Sequence, residues 1–270
     1  MPVVIRITDA GDPRLEPYRA VRERDLVGRD GLFIAEGRVV LEKAVAAIPD
    51  AIASVLVAEH RLASLSEVVA KLPADTPVYA AGQAAMDEAV GFPIHRGILA
   101  VGRSPARDPA ALLAGLPPNA LVVGLVGIAN HDNMGGVFRN AAAFGADAVL
   151  LDDTCCDPLY RKAIRVSVGA VLTTPFARVG DAAALVARLD QAGFETVSLS
   201  PGGAAELGEL NPGPRMAALF GAEGPGLPDA ILSRTRPLRI AMAGGFDSLN
   251  VATTSGIVLH HLAARRSMAA

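Results

Sequence analysis

LVVGLVGIANHDNMGGVFRNAAAFGADAVLL, residues 121–151, joins an apolar run to an alanine-rich run through two adjacent glycines, three asparagines and an arginine. Ala120–Gly127 has the unbroken apolar character of a strand buried on both faces. Met134–Phe144 reads as a helix closed by Gly145, and Asp147–Asp153 as a second strand. Residues 130–136 are then a strand-end turn. Its glycines let backbone approach a ligand, and the helix start offers unpaired N–H groups. Arg139 sits about one turn into the helix and faces back toward the loop. Neither GxxxxGK[ST] nor GxGxxG occurs, so a phosphate-loop ATPase, a kinase or a nicotinamide-dependent dehydrogenase has little support.

The same alternation continues downstream. RKAIRVSVGAV reads as helical, followed by a helix through DAAALVARLDQAG and the strands ETVSLS and RMAALFG. A short helix after GPGLPDAI, a strand LRIAMA (238–243) and a final helix from Asn250 complete the chain. Such alternation implies an α/β fold whose mostly parallel sheet is covered on both faces, with ligands at the carboxyl ends of strands. The first hundred residues read as a separate, mixed α/β region. RLEPYRAVRERDLVG has helical spacing, LFIAEG reads as a strand and turn, and RVVLEKAVAAI as an amphipathic helix. ASVLVAE and TPVYAAG read as strands separated by a helix through LSEVVAKL. Glu36 and Arg38 flank Gly37, either as solvated turn charges or as binding groups. The proline-rich stretch 103–120 marks the boundary: 1–104 one domain, 105–119 a linker, 120–270 the second.

The composition is that of a globular protein, 51% hydrophobic and 20% charged over 270 residues. A net charge of -3 and a pI near 6.0 remove the simplest argument for nucleic-acid binding, although 25 Lys and Arg leave room for a local basic patch. Cys155 and Cys156, adjacent in sequence, suit neither a bridge nor a tetrahedral zinc site and read as free thiols in a reducing compartment. Asp9 and Asp12 interrupt any signal-peptide core, and no apolar run approaches the ~18 residues of a membrane span. The expectation is a cytoplasmic protein with no metal and no membrane partner.

Two further loops follow predicted strands. FGAEGPGLPD (220–229) packs three glycines around Glu223, and AGGFDSLNVATTSG (243–256) places Ser248 and Asn250 at a helix start. Taken singly, Ser248 reads as a helix cap, Glu223 as a turn carboxylate and Arg139 as a surface ion-pair partner. Taken together they match a pattern. Asn133-Met-Gly135-Gly-Val-Phe-Arg139, then LFGAEGPGL, then Asp247-Ser-Leu-Asn-Val251, resemble in order and spacing the three motifs of the SpoU/TrmH family, the SPOUT-class RNA 2′-O-ribose methyltransferases. The resemblance covers about 150 residues and extends to CDPLYRKAIRVSVGA (156–170). The N-terminal EG turn is similar to the family's accessory RNA-binding domain, built like a small ribosomal protein.

The resemblance implies a C-terminal domain threaded as a trefoil knot, against the general rule that chains are unknotted. It implies S-adenosylmethionine as co-substrate, held by Gly221, Ile240 and Leu249. It also implies a homodimer joined through the knot, with each active site borrowing residues from the other chain. Asn133, Arg139, Glu223, Ser248 and Asn250 fall around the reacting ribose hydroxyl of an rRNA or tRNA. Arginine is a poor base in water, so Arg139 is read as gripping the adjacent phosphate and polarising the hydroxyl. Asn133 either orients Arg139 or contacts ribose, and Glu223 either acts in the site or fixes the loops. His131 stands where members commonly have proline, Gly136 replaces a usual alanine, and Ala252-Thr253-Thr254 replaces an SVA-like run. His260 and His261 read as helix-end residues. A catalytically inactive RNA- or ribosome-binding protein of the same fold is the alternative, and base methylation a third reading. Arg14, Arg19, Arg22 and Arg24 would supply an RNA grip, but the interspersed Glu16, Glu23 and Asp25 fit a solvated helix as well.

Overall fold

The computed structural model describes residues 2–19, 31–104, 107–244, 246 and 248–269. Arg22, Glu23, Arg24, Asp25 and Asp247 lie outside them. The chain divides into two compact units. One comprises residues 1–105 and 157–173, the other 106–156 and 174–270.

The first unit holds a mixed five-stranded sheet in the order β1-β4-β3-β5-β2. Its strands are β1 (Val4–Ile7), β2 (Leu32–Glu36), β3 (Ile52–Ala58), β4 (Val78–Ala81) and β5 (Ile98–Arg103). β1 and β3 run parallel to β4, whereas β5 runs antiparallel to β3 and β2. The sequence reading omits β1 and β5. β5 carries no alternation to announce it, because Ile98–Gly102 is buried throughout. Helices α1 (Arg38–Ala47), α2 (Glu59–Leu62), α3 (Ser66–Val69) and α4 (Gln83–Val90) connect these strands. Of the N-terminal segment expected to be helical, Pro13–Tyr18 is a 3-10 helix capped by Asp12.

Residues 157–173 belong to this first unit, not to the C-terminal unit that surrounds them in sequence. They form α7 (Arg161–Val166) and α8 (Ala170–Thr173), the former against β2 and the latter against α1. Glu36 is therefore not a solvated turn charge. Its Oε2 accepts from Arg161 Nη2 at 2.7 Å and Nε at 3.1 Å, and the Arg161 guanidinium lies 5.0 Å from the Phe92 ring centre. Arg38 makes an i,i+4 pair with Glu42 at 2.7 Å.

The second unit is a seven-stranded, all-parallel sheet in the order β10-β12-β9-β11-β6-β7-β8. Its strands are β6 (Ala120–Leu125), β7 (Ala148–Leu151), β8 (Phe176–Arg178), β9 (Glu195–Leu199), β10 (Ala205–Glu206), β11 (Arg215–Phe220) and β12 (Arg236–Arg239). Side chains alternate across it. Val122, Leu150, Ala217 and Leu219 pack with α5 (Pro109–Ala114), α9 (Ala182–Gln191) and α10 (Asp229–Leu232) through Leu113, Leu185, Leu189 and Ile231. The expected linker thus contributes Leu113 to the core. α6 (His131–Ala143) contacts β7, and α11 (Val251–Ala269) contacts β11 and runs along α6.

The strand expected at 238–243 is displaced to Arg236–Arg239. Its neighbours explain this: β9 ends at Leu199, opposite Leu238, and β10 offers only two residues. Ile240 and Met242 leave the sheet because there is nothing left to pair with. Pro237 is tolerated because the short β10 pairs only with Leu238 and Arg239, so no ladder bond is missing on that side.

Candidate active site

The expected turn at 130–136 is largely helix. α6 begins at His131 with Asn130 as its N-cap, whose Oδ1 accepts from Asp132 N at 2.7 Å. Asn133, Gly135 and Gly136 are therefore helical residues. Gly136 serves helix packing and not ligand approach: a Cβ there would lie 2.6 Å from Ala252 Cβ on α11. The same crossing is tied by Asn140 Nδ2, which donates to Ala252 O at 2.6 Å and Ser255 Oγ at 3.0 Å.

This close crossing brings two helix starts together. Asn250 caps α11, its Oδ1 accepting from Ala252 N at 2.9 Å and Thr253 N at 3.3 Å. Its Nδ2 then faces α6 and donates to Asn133 Oδ1 at 2.8 Å. Because the backbone donors fix which end of Asn250 is oxygen, they also fix Asn133. The Asn133 oxygen is consumed, and its amide N–H groups remain to donate. Asn133 thus bonds to Asn250 and not to Arg139, and the cap expected of Ser248 is made by Asn250.

A cavity of about 710 Å³ opens beside this pair, within the range of about 300–1,000 Å³ usual for small-molecule sites. It lies beyond the carboxyl ends of β9, β11 and β12, where open parallel sheets place ligands. Asn133, Glu223, Ser248 and Asn250 line it, as do Gly221, Ile240 and Leu249. Arg139 does not. It is exposed two turns along α6 from the cap and makes no hydrogen bond or ion pair among the described residues.

The walls are mostly apolar side chains, such as Leu199, Phe220 and Met242, and bare backbone. A Cβ on Gly221 would lie 2.4 Å from Gly226 C and 2.5 Å from Leu227 N, so no side chain fits at that point. Gly203 is equally constrained, 2.4 Å from Leu238 C. The ionisable side chains lining the cavity among the described residues are Asp132 and Glu223; no lysine, arginine or histidine does. Such walls favour a ligand carrying positive charge over a phosphate.

Several contributors escape a reading of the sequence. Asp152, buried, accepts from Gly127 N, Thr154 N and Cys155 N through Oδ1. Arg178 donates to the carbonyls of Asp152, Cys155 and Cys156. Cys155 Sγ accepts from Ile128 N at 3.3 Å, and burial pushes this thiol up to about 12. Together they clamp the 126–130 loop that ends in the α6 cap. Of the signals involved, only Asn130 ahead of a helical run was available to inspection. Both cysteines are free. His260 and His261 lie well inside α11, not at its end: His260 meets Phe144 edge-on at 5.6 Å, and His261 contacts Leu210 O at 3.4 Å. Among the described residues no cluster could hold a metal ion and no helix is long and apolar enough to cross a membrane.

Comparison with known proteins agrees with this geometry. Residues 120–260 match the model of the SpoU rRNA Methylase family. The chain is 38% identical over 265 residues to an uncharacterized tRNA/rRNA methyltransferase of Mycobacterium tuberculosis, covering 94% of this chain and 90% of that protein. Among solved structures it resembles an RNA 2′-O ribose methyltransferase, at 27% identity and TM-score 0.78 over 98% of this chain and 100% of the other. The fold also matches the SpoU methyltransferase AviRb from Streptomyces viridochromogenes, at 20% identity and TM-score 0.82 over 96% and 99%. A knob of parallel sheet with a backbone-walled cavity at its carboxyl edge is, in this setting, that of an RNA methyltransferase. The chain belongs to the SpoU rRNA methylase family.

Proposed function

We propose that the protein transfers the methyl group of S-adenosylmethionine to a ribose 2′-hydroxyl of structured RNA. The observation that carries this reading is the convergence of Asn133, Glu223, Ser248 and Asn250 on one cavity without a basic side chain. The residues fit the co-substrate: Gly221 supplies bare backbone, Ile240 and Leu249 apolar walls, and Asp132 and Glu223 negative charge. When bound, the group supplies an electrophilic methyl on a sulfonium, which departs as a neutral thioether and needs no acid. The 27% identical structural relative, an RNA 2′-O ribose methyltransferase, supports ribose over base as the acceptor. We read the second unit as threaded in the trefoil knot that the family resemblance implies.

The chain's own work is alignment and deprotonation. Alignment of two reactants is worth several kcal/mol of barrier. Asn133, its oxygen held by Asn250, presents amide donors to the hydroxyl or its neighbouring oxygens. Arg139 grips the adjacent phosphate, and its positive charge makes the 2′-hydroxyl more acidic, so that the proton passes to solvent as the oxygen takes the methyl group. Since Arg139 stands outside its own chain's cavity, we assign it to the cavity of a second copy in a homodimer, an isologous arrangement in which each chain completes the other's site. The first unit, including its segment 157–173, forms the RNA-binding module.

The test is transfer of labelled methyl from S-adenosylmethionine to total bacterial RNA, digested to nucleosides. Label in a 2′-O-methyl nucleoside, lost in Arg139→Ala, is expected; label in a methylated base, or none despite cofactor binding, overturns the reading. Mixing inactive Arg139→Ala with inactive Gly221→Val restores activity if Arg139 serves the partner's cavity. Mixtures that stay inactive place it elsewhere.

A further inference from the structure

The chain is poor in aromatic residues, with eight Phe, three Tyr and no Trp. Every Phe and Tyr is buried or half-buried except one: Phe246, which is 76% exposed. It stands in the loop between β12 and α11, two residues before Ser248 and three before Leu249, both of which line the cavity. Leu249 is itself 42% exposed. Single exposed apolar residues are ordinary on protein surfaces. What distinguishes Phe246 is its type and its place, the one uncovered ring standing two residues before Ser248, which lines the cavity.

We propose that Phe246 is a nucleobase platform, stacking against a base of the substrate RNA next to the nucleotide whose ribose enters the site. The proposal rests on the RNA-methylating function argued above. A reacting ribose must leave its helical context to reach a cavity at a sheet edge, and unstacked bases are commonly received on aromatic faces. Stacking needs one flat face and no charge, which suits a loop whose cavity carries carboxylates and no cation. In the homodimer proposed above a second copy reaches this cavity through Arg139, but Phe246 and Leu249 by themselves do not make its interface. Phe246 and Leu249 together offer a few hundred Å² at most, against roughly 800 Å² per partner in a standard interface.

The absence of tryptophan makes the test direct, since Phe246→Trp places a single indole in the full-length protein. Titration with total bacterial RNA is expected to quench its emission, whereas inorganic polyphosphate, a polyanion without bases, leaves it unchanged. In parallel, Phe246→Ala is expected to weaken RNA binding, read by filter retention without chemistry, by roughly 5- to 150-fold per lost stack. S-adenosylmethionine affinity and molecular mass by light scattering should stay as in the parent, and Phe246→Trp should restore RNA binding. An indole that RNA does not quench, or an alanine variant that binds RNA within twofold of the parent, overturns the proposal. So does an alanine variant that falls apart into smaller species, which would assign the ring to a protein interface. Because quenching and retention need no methyl transfer, they remain readable if the protein binds RNA without methylating a ribose. Loss of RNA binding in the parent itself would instead sink the function on which the proposal depends.

Discussion

At the scale of single residues, the Asn133–Asn250 bond separates two roles that one substitution usually confuses. Asn133→Asp keeps an oxygen to accept from Asn250 Nδ2 but removes the amide donors facing the cavity. It should leave the unfolding midpoint close to the parent while methyl transfer falls by tenfold or more, about the worth of one hydrogen bond to a reacting group. Asn250→Ala removes the α11 cap as well, at a cost of about 1 kcal/mol of stability, and should lose both folding stability and transfer. Calorimetry beside initial rates checks the pair. Cys155 offers a second test. Burial, first, and the nearby Asp152 charge hold its thiol up at about 12, so the native state keeps a proton that the unfolded chain gives up in the ordinary thiol range near pH 8.5. The stability tied to this group is complete below that range and is lost as pH rises toward 12. At pH 8 a thiol reagent should therefore modify Cys156 alone in the folded protein, and both cysteines after denaturation.

At the scale of elements, the α6–α11 crossing sets the site. Gly136→Ala gains about 0.8–1.0 kcal/mol of helix propensity, but its Cβ would stand 2.6 Å from Ala252 Cβ. Overpacking of that kind costs about 1–3 kcal/mol, so the clash outweighs the gain. Gly136→Val has no such compensation and should lower the melting temperature by several degrees, about 2–4 °C per kcal/mol for a unit of this size. Forcing the helices apart also lengthens the Asn133–Asn250 contact. Cofactor affinity measured by titration calorimetry should accordingly fall more for Gly136→Val than for an equally destabilising change remote from the crossing, such as Leu113→Ala in the opposite core.

For the whole molecule, the return of residues 157–173 to the first unit means that neither unit is a simple stretch of chain. The segment is held by the Glu36–Arg161 pair, whose side chains are only 12% and 16% exposed, and by Lys43 Nζ donating to Val168 O at 2.8 Å. Arg161→Ala leaves the Glu36 carboxylate largely buried without its donors. Removing one partner of a buried hydrogen-bonded pair costs about 1–3 kcal/mol. Limited proteolysis should then cut within 157–173 much faster than in the parent. A cleavage rate equal to the parent's would show that the pair does not anchor the segment.

The sequence alone determined the α/β class, the parallel sheet of the second unit and the polar loops after β11 and β12, because these are local: strand and helix periods, and glycine-bearing motifs at strand ends. Residues whose roles are local, such as the capping position at Asn250, were legible within a residue or two. What tertiary structure decided was everything set by contact between distant segments. Gly136 looks like a ligand-facing glycine until Ala252, more than a hundred residues away, is seen against it. Glu36 looks solvated until Arg161 arrives beside it. LRIAMA has the apolar run of a strand, yet it is cut short because its neighbouring strands end. Arg139 sits at its motif position, but the geometry of α6 points it away from its own chain's cavity, since a helix turns by 3.6 residues regardless of what a motif joins.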